Sequence, residues 1–113
     1  MINEHDIHDF TEYQKAAWST ALPSARNCSY LVNGLSAETG EVCGLFAKYV
    51  RDGSPGIEEF REKLRKELGD VLWFVAGIST LYGMSLDGVM QANLDKLKSR
   101  MERGVIGGSG DDR

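Results

Sequence analysis

The sequence predicts an all-α fold, a bundle of four helices, and two observations support this prediction. Apolar residues recur at steps of three and four, the spacing of one helix face, and no stretch shows the alternation of a strand. The breaks between these stretches contain the only two prolines, Pro23 and Pro55, as is typical of helix ends. The 113 residues are expected to form a single domain over residues 1–103, followed by a flexible tail rich in glycine and aspartate over residues 104–113.

Capping and helix-breaking residues mark where each predicted helix starts and stops. We expect Pro23 to end the first helix. Ser54 is expected to cap the third helix, with Pro55 at its first position. Gly83 then ends the third helix, and Ser85 caps the fourth. The predicted helices span about residues 6–21, 29–51, 57–82 and 86–103.

The composition is that of an acidic globular protein. The net charge is −4 and 42% of the residues are hydrophobic, so no basic excess suggests a nucleic-acid partner. No apolar run reaches membrane length, and the first residues do not resemble a signal peptide. We therefore expect no membrane contact and a cytoplasmic location. Cys28 and Cys43 fit no metal ribbon and are expected to be reduced thiols there.

Two of the predicted helices carry an acid in the middle of an apolar stripe. The stripes are Leu31, Leu35, Glu38, Val42, Leu45 and Tyr49, and Phe60, Leu64, Glu67, Val71, Phe74 and Ile78. A second acid, Glu41 or Asp70, follows three residues later in each helix. Interior carboxylates repel one another and are costly unless a cation meets them. Facing helices would therefore offer oxygen ligands to Mg²⁺, with Mn²⁺ as a substitute.

Two other interpretations of these acids remain open. Lys48, Lys63 and Lys66 lie within helical reach of them, so the acids could form salt bridges in a helical interaction module without enzymatic activity. A di-iron carboxylate bundle is disfavoured, because it needs Glu-x-x-His on two helices. The only histidines, His5 and His8, lie near the start of the chain.

The fourth predicted helix carries a polar patch. Asn93 interrupts its apolar face, and Lys96 and Arg100 follow at the next two turns. An amide beside two cations suits a phosphate chain, although basic residues also collect at helix C-termini for electrostatic reasons. In the third helix, residues 71–78 are apolar on every side, which predicts that a second copy of the chain covers one face. The alternative is that the first helix and the loops supply this cover.

Several stretches together resemble the MazG-like nucleoside triphosphate pyrophosphatases. They are Tyr13-Gln14, residues 34–42 (GLSAETGEV), Lys48, residues 66–73 (KELGDVLW) and residues 93–100 (NLDKLKSR). The resemblance covers about residues 10–103 and is closest in form to the compact, stand-alone members of phages and bacteria. It implies a four-helix fold and an oligomer built around the second and third helices, a dimer or a dimer of dimers. If the chain is encoded by a phage, its location would be the host cytoplasm.

The resemblance also implies an activity and a set of site residues. The activity is Mg²⁺-dependent cleavage of an NTP or dNTP to the monophosphate and pyrophosphate. The implied metal ligands are Glu38, Glu41, Glu67 and Asp70, and the implied phosphate contacts are Lys48, Asn93, Lys96 and Arg100. Glu38 or Glu41 would take the proton from a water that attacks the α-phosphorus. Many members carry a further glutamate where this chain has Ala37, which leaves the number of metals open.

The base of the substrate is less defined by the sequence. Trp18, Asn27 and Asn33 are candidate base contacts, and an Asn side chain can offer a donor and an acceptor to guanine. This favours a purine nucleotide such as dGTP or GTP. The same acid pairs would also serve a relative that acts on a phosphoribosyl-ATP-type nucleotide.

Overall fold

The computed structural model describes residues 9–113, which form four α-helices and no strand. The helices are α1 (Phe10–Ser19), α2 (Cys28–Asp52), α3 (Ile57–Leu81) and α4 (Leu86–Glu102), and a short 3-10 turn, Pro23–Ala25, lies between α1 and α2. The predicted all-α fold is confirmed. No single helix in this part of the chain is long and apolar enough to cross a membrane, and α3 with α4 passes such a test only as a pair bent by 102°.

The first helix is shorter than predicted. The expected start at residue 6 lies outside the described residues, and Asp9 has an extended backbone that serves as the N-cap of α1. The Asp9 carboxylate accepts a hydrogen bond from the Glu12 N–H at 2.6 Å. At the other end, α1 stops at Ser19, before Pro23, which instead opens the 3-10 turn.

The caps of the later helices follow the prediction in one case and differ in another. Ser85 caps α4 as expected, because its side chain accepts from the Gly88 N–H at 3.0 Å. The third helix starts at residue 57 as predicted, but the prediction that Ser54 is its N-cap and Pro55 its first residue is wrong. Gly56, with a φ of 99°, occupies the N-cap position of α3, and Ser54 Oγ instead accepts from the Gly56 N–H at 3.1 Å. A left-handed φ of this kind favours glycine, so the backbone turns into α3 through Gly56.

Helices α2 and α3 form the largest helix–helix interface and run antiparallel. Near their connection the ring of Phe46 packs edge-on against Phe60, with centroids 5.2 Å apart. At the opposite end the ring of Tyr30 lies 5.9 Å from that of Phe74. This register places the middle of α2 opposite the middle of α3, where the two acid pairs lie.

Helix α1 packs across this pair through buried polar contacts. The indole N–H of Trp73 donates to the Ala17 carbonyl at 3.1 Å and to Thr20 Oγ1 at 2.9 Å. Gln14, which is 9% exposed, donates to Thr80 Oγ1 and to the Met84 carbonyl. Its carbonyl also accepts from the backbone N–H of Leu86, the first residue of α4. These bonds connect α1 to the end of α3 and the start of α4.

The apolar segment 71–78 is largely covered within one chain. Phe74, Ala76 and Gly77 are buried, and Leu72 alone in the segment is exposed, at 42%. The cover comes from α1 and α2, whereas the alternative had named the first helix and the loops, and it leaves most of this segment buried within one chain. The oligomer stays a prediction.

Residues 104–113 turn back toward α4. Gly104, Gly108 and Gly110 all have positive φ, between 70° and 97°, and shape this reversal. The flexibility predicted for the segment stays a prediction, but the structure places Asp111 against two side chains of α4.

Candidate active site

Three carboxylates from two helices converge at the centre of the α2–α3 interface. Glu38 on α2 and Glu67 and Asp70 on α3 each present one oxygen, and these oxygens lie within 4.8 Å of one another. Glu38 and Glu67 are half-buried and Asp70 is exposed. The antiparallel register and the helical spacing of Glu67 and Asp70 produce this group, which we call the acidic cluster.

A close approach of the helices lies one turn from the acidic cluster. A Cβ atom added at Gly34 would lie 2.1 Å from Cε1 of Phe74, far inside ordinary contact. Only glycine lets the Phe74 ring lie directly on the backbone of α2. This packing holds the segment of α2 that carries Glu38 against α3.

Burial and mutual repulsion shape the electrostatics of the cluster. Partial burial raises the pKa of Glu38 above its usual range, and the charges of Asp70, Glu67 and Glu41 raise it further. Glu41 thus lies within electrostatic reach of Glu38, although it does not belong to the group of three. Its side chain is exposed on the neighbouring turn of α2.

The salt-bridge interpretation of these acids finds no support in residues 9–113. No lysine or arginine in this range forms an ion pair with the three cluster residues or with Glu41. Lys63 instead pairs with Glu59 at 3.1 Å, and the charge of Lys48 acts on Asp52. A set of unpaired, partly buried carboxylates fits a bound divalent cation, whose charge would relieve the repulsion.

Tyr13 on α1 lies within electrostatic reach of the acidic cluster. Burial raises the pKa of its phenol, and the charge of Asp70 raises it further. The apolar periodicity did not identify Tyr13 as a site residue, because a tyrosine on a short amphipathic helix usually serves only to pack against the core. Only the Tyr13-Gln14 pair of the resemblance pointed to it.

The residues predicted to bind phosphate are divided between two places. Asn93 and Lys96 line a cavity of about 700 Å³ on α4, and Arg100 follows one turn later, 5% exposed. Lys48 lies elsewhere, in a groove of about 210 Å³ with Asp52. It is ten residues, or about 15 Å of helix, from Glu38. The structure therefore groups three of the four predicted phosphate contacts on one helix.

The predicted base contacts differ in how available they are. Trp18 lines a second cavity of about 530 Å³, and the Arg26 guanidinium lies 5.1 Å from the centroid of its ring. Asn27 caps α2, because its carbonyl accepts from the Tyr30 N–H and its amide donates to the Ser24 carbonyl. The Asn33 amide donates to the Ser29 carbonyl at 2.8 Å. Both polar groups of Asn27 are thus already bonded.

Residues 26–105 match the family model of the MazG nucleotide pyrophosphohydrolase domain. The chain belongs to this family. The matched MazG domain contains α2, α3 and α4 entire, with the acidic cluster and the cavity at Lys96, whereas Tyr13 and Trp18 precede it. The resemblance inferred from the sequence is thereby confirmed, and it supports nucleotide pyrophosphohydrolase activity in general terms.

The chain is similar to two proteins over most of its length. The chain is similar to the "Gene 37 protein" of Mycobacterium phage L5, at 45% identity over 109 residues, covering 89% of this chain and 96% of the relative. It is also similar to the "Uncharacterized protein YvdC" of Bacillus subtilis (strain 168), at 33% identity over 96 residues, covering 80% and 86%. No solved structure matches the chain.

Proposed function

We propose that this MazG-family protein is a divalent-metal-dependent pyrophosphohydrolase that converts an NTP or dNTP to the monophosphate and pyrophosphate. The observation that carries the proposal is the acidic cluster, three carboxylates from two helices without an ion-pair partner within residues 9–113. In a domain of this family, such a group is best explained by a cation that the substrate brings or shares.

The donor set fits a hard cation. Carboxylate oxygens are the ligands that Mg²⁺ and Mn²⁺ prefer, and no histidine or cysteine within residues 9–113 belongs to the cluster. Glu38, Glu67 and Asp70 would hold the metal. When bound, the metal neutralises charge on the triphosphate and polarises the bond to the α-phosphorus.

Glu41 is the residue we assign as the proton acceptor. It lies one helical turn from Glu38, outside the group of three, and its exposed carboxylate can face a water. As the water oxygen attacks the α-phosphorus, Glu41 takes its proton, and the bond to the bridging oxygen of pyrophosphate breaks. Asn93, Lys96 and Arg100 stabilise the charge of the leaving pyrophosphate through hydrogen bonds.

For the base we propose a purine, with dGTP or GTP as the first substrates to test. Trp18 lines a cavity that shares Met84 and Ser85 with the cavity at Asn93 and Lys96, so a base and a phosphate chain can lie in adjoining spaces. An indole ring offers a stacking face for a large base. Asn33 keeps its carbonyl as an acceptor for guanine donors.

We also propose that two copies of the chain associate through α2 and α3. Phe46 and Val50 are 51% and 84% exposed on α2, and Leu68 and Leu72 are 50% and 42% exposed on α3. Each pair is spaced by four residues and so forms an apolar ridge on its helix. Exposed apolar ridges on two helices that already pack together offer a surface that a second copy could cover.

The deciding experiment identifies the products. The protein is incubated with each of the eight common NTPs and dNTPs, and with phosphoribosyl-ATP, in the presence of Mg²⁺. We expect pyrophosphate and a monophosphate, with E67Q strongly impaired. The control E62Q removes an acid of the same helix that pairs with Arg65 outside the cluster, and it should retain activity. Orthophosphate and a diphosphate would refute attack at the α-phosphorus, and the absence of turnover and of saturable Mn²⁺ binding would favour a non-enzymatic module.

A further inference from the structure

The segment 104–113 occupies the two cations of α4. The Asp111 carboxylate lies 3.3 Å from Nζ of Lys96 and 3.4 Å from Nη2 of Arg100. The same Arg100 nitrogen donates to the backbone carbonyls of Asp111, at 2.6 Å, and Gly110, at 3.4 Å. With these partners in place Arg100 is 5% exposed, so no other anion can reach it.

Glycines and one arginine give the segment its shape. Gly104, Gly108 and Gly110 have φ values of 70°, 97° and 88°, which turn the chain back toward α4. The Arg113 guanidinium then donates to carbonyls within the segment, among them that of Gly107 at 3.0 Å. The segment is thus a closed loop that presents the Asp111 side chain to α4.

We propose that residues 104–113 form an autoinhibitory latch, in which Asp111 takes the place of a phosphate group on Lys96 and Arg100 until the triphosphate displaces it. The inference rests on the proposed function, because it takes these two cations as phosphate contacts. Carboxylate and phosphate oxygens accept the same charge-assisted hydrogen bonds from ammonium and guanidinium groups. The Nε of Arg100 is buried and has no partner within residues 9–113, so the segment leaves one guanidinium donor unsatisfied, which an anion can reach only after the segment is displaced.

The latch is weak enough to open. In the ion pair of Asp111 with Lys96 both side chains are exposed, at 83% and 39%, and exposed ion pairs shift an equilibrium by only a few-fold. Lys96, and after it Arg100, holds the pKa of Asp111 below its usual range, so the carboxylate is ionised at neutral pH. A triphosphate, with several negative charges, competes effectively for the same donors.

The test measures binding of inorganic pyrophosphate by calorimetry, in EDTA, so that no metal at the acidic cluster contributes. D111N removes the latch charge, and D112N removes the same charge from the adjacent residue, which forms no hydrogen bond or ion pair in residues 9–113. We expect D111N to bind pyrophosphate about two- to five-fold more tightly than the parent, the range of an exposed ion pair, and D112N to change little.

A second pair of variants tests the loop shape without changing charge. G110A places a side chain at a φ of 88°, which strains the closed loop, whereas G107A adds a methyl group in open space at an ordinary φ. We expect G110A to bind pyrophosphate several-fold more tightly and G107A to match the parent.

Three results would overturn the latch. These are equal affinity in the parent, D111N and G110A, an equal gain in D111N and D112N, and no pyrophosphate binding by any variant. The product assay is independent of these outcomes. If a nucleotide is turned over but one of these three results is found, the proposed function stands and the latch is refuted. If the expected pyrophosphate affinities are found but no nucleotide is turned over, the latch contact stands and the proposed function is refuted.

Discussion

Gly34→Ala tests the packing that holds the acidic cluster together. The added Cβ would lie 2.1 Å from Cε1 and 2.4 Å from Cζ of Phe74, so the ring must retreat by about 1.3 Å to reach ordinary contact. Phe74 is 8% exposed and its ring already packs 4.9 Å from that of Trp73, so the retreat disturbs other contacts. Overpacking of this kind costs about 1–3 kcal/mol.

The same substitution also favours the helical state of α2, and this gain in stability reduces the expected net loss. Alanine is favoured over glycine inside a helix by about 0.5–1 kcal/mol, so we expect G34A to lose up to about 2.5 kcal/mol overall. In a domain of this size a loss of that size lowers Tm by up to about 20 °C. At Gly40 and Gly69 an added Cβ meets nothing within 4 Å. G40A and G69A should therefore raise Tm by up to about 8 °C.

The assay is thermal unfolding of the four proteins in EDTA, followed by circular dichroism. A double-mutant cycle with F74L adds a direct readout of the contact, since a smaller side chain at position 74 should relieve the G34A clash. We expect the double variant to lose clearly less stability than the sum of the two single variants. Equal Tm changes in G34A, G40A and G69A, or strict additivity in the cycle, would refute this account of the α2–α3 packing.

Three further predictions concern the cluster and the assembly. Mn²⁺ at 100 times its Kd should stabilise the parent by about 2.7 kcal/mol, or about 10–20 °C in Tm. E67Q should lose most of this Tm shift, whereas E41Q should keep the shift and lose about 10²–10⁴-fold in kcat, as expected for a general base. Thermal melts measure the first effect and initial rates the second. Equal Mn²⁺-induced shifts in the parent and E67Q would show that Glu67 is not a ligand. Because the pKa of Glu38 is raised in the folded state, Glu38 makes a contribution to the stability of the metal-free protein that is fully present below the unfolded value of 4.5 and is lost as pH rises through the folded pKa. Urea unfolding in EDTA should therefore show the parent losing stability relative to E38Q as pH rises over this range, and a constant difference between the two proteins would refute the assignment. Light scattering at micromolar concentration should give at least a dimer mass, and L72E should shift it toward the monomer; a monomeric parent would refute association through α2 and α3.

The helical period was sufficient to predict the fold and the acidic cluster. Glu38 and Glu67 were recognised because each interrupts an apolar stripe, and the antiparallel pairing of two helices joined by a short loop brings the stripes together. The start of α3 at residue 57 was predicted correctly, but its cap was not. Ser54 and Pro55 carry the usual N-terminal signal, whereas the N-cap position is occupied by Gly56, which uses its backbone freedom there.

Other features could not be read from spacing, because they depend on tertiary contacts. The sequence suggested that the Asn27 amide is available for a base, but its side chain caps the N-terminus of α2. Lys48 shares a helix with Glu38 yet lies in a separate groove. The return of Asp111 to Lys96 depends on three successive glycine turns, whose positive φ values no local pattern specifies.

Two consecutive residues of α1 connect the two halves of the candidate active site. Tyr13 lies within electrostatic reach of Asp70, and Gln14 bonds the Met84 carbonyl and the Leu86 N–H where α4 begins. Since neighbouring side chains on a helix diverge by a fixed angle, α1 fixes the position of α4, which carries the proposed phosphate contacts, relative to the carboxylates. A change at Gln14 would remove its hydrogen bonds to Thr80, Met84 and Leu86, so the distance between the two parts of the proposed site depends on α1, the shortest of the four α-helices in residues 9–113.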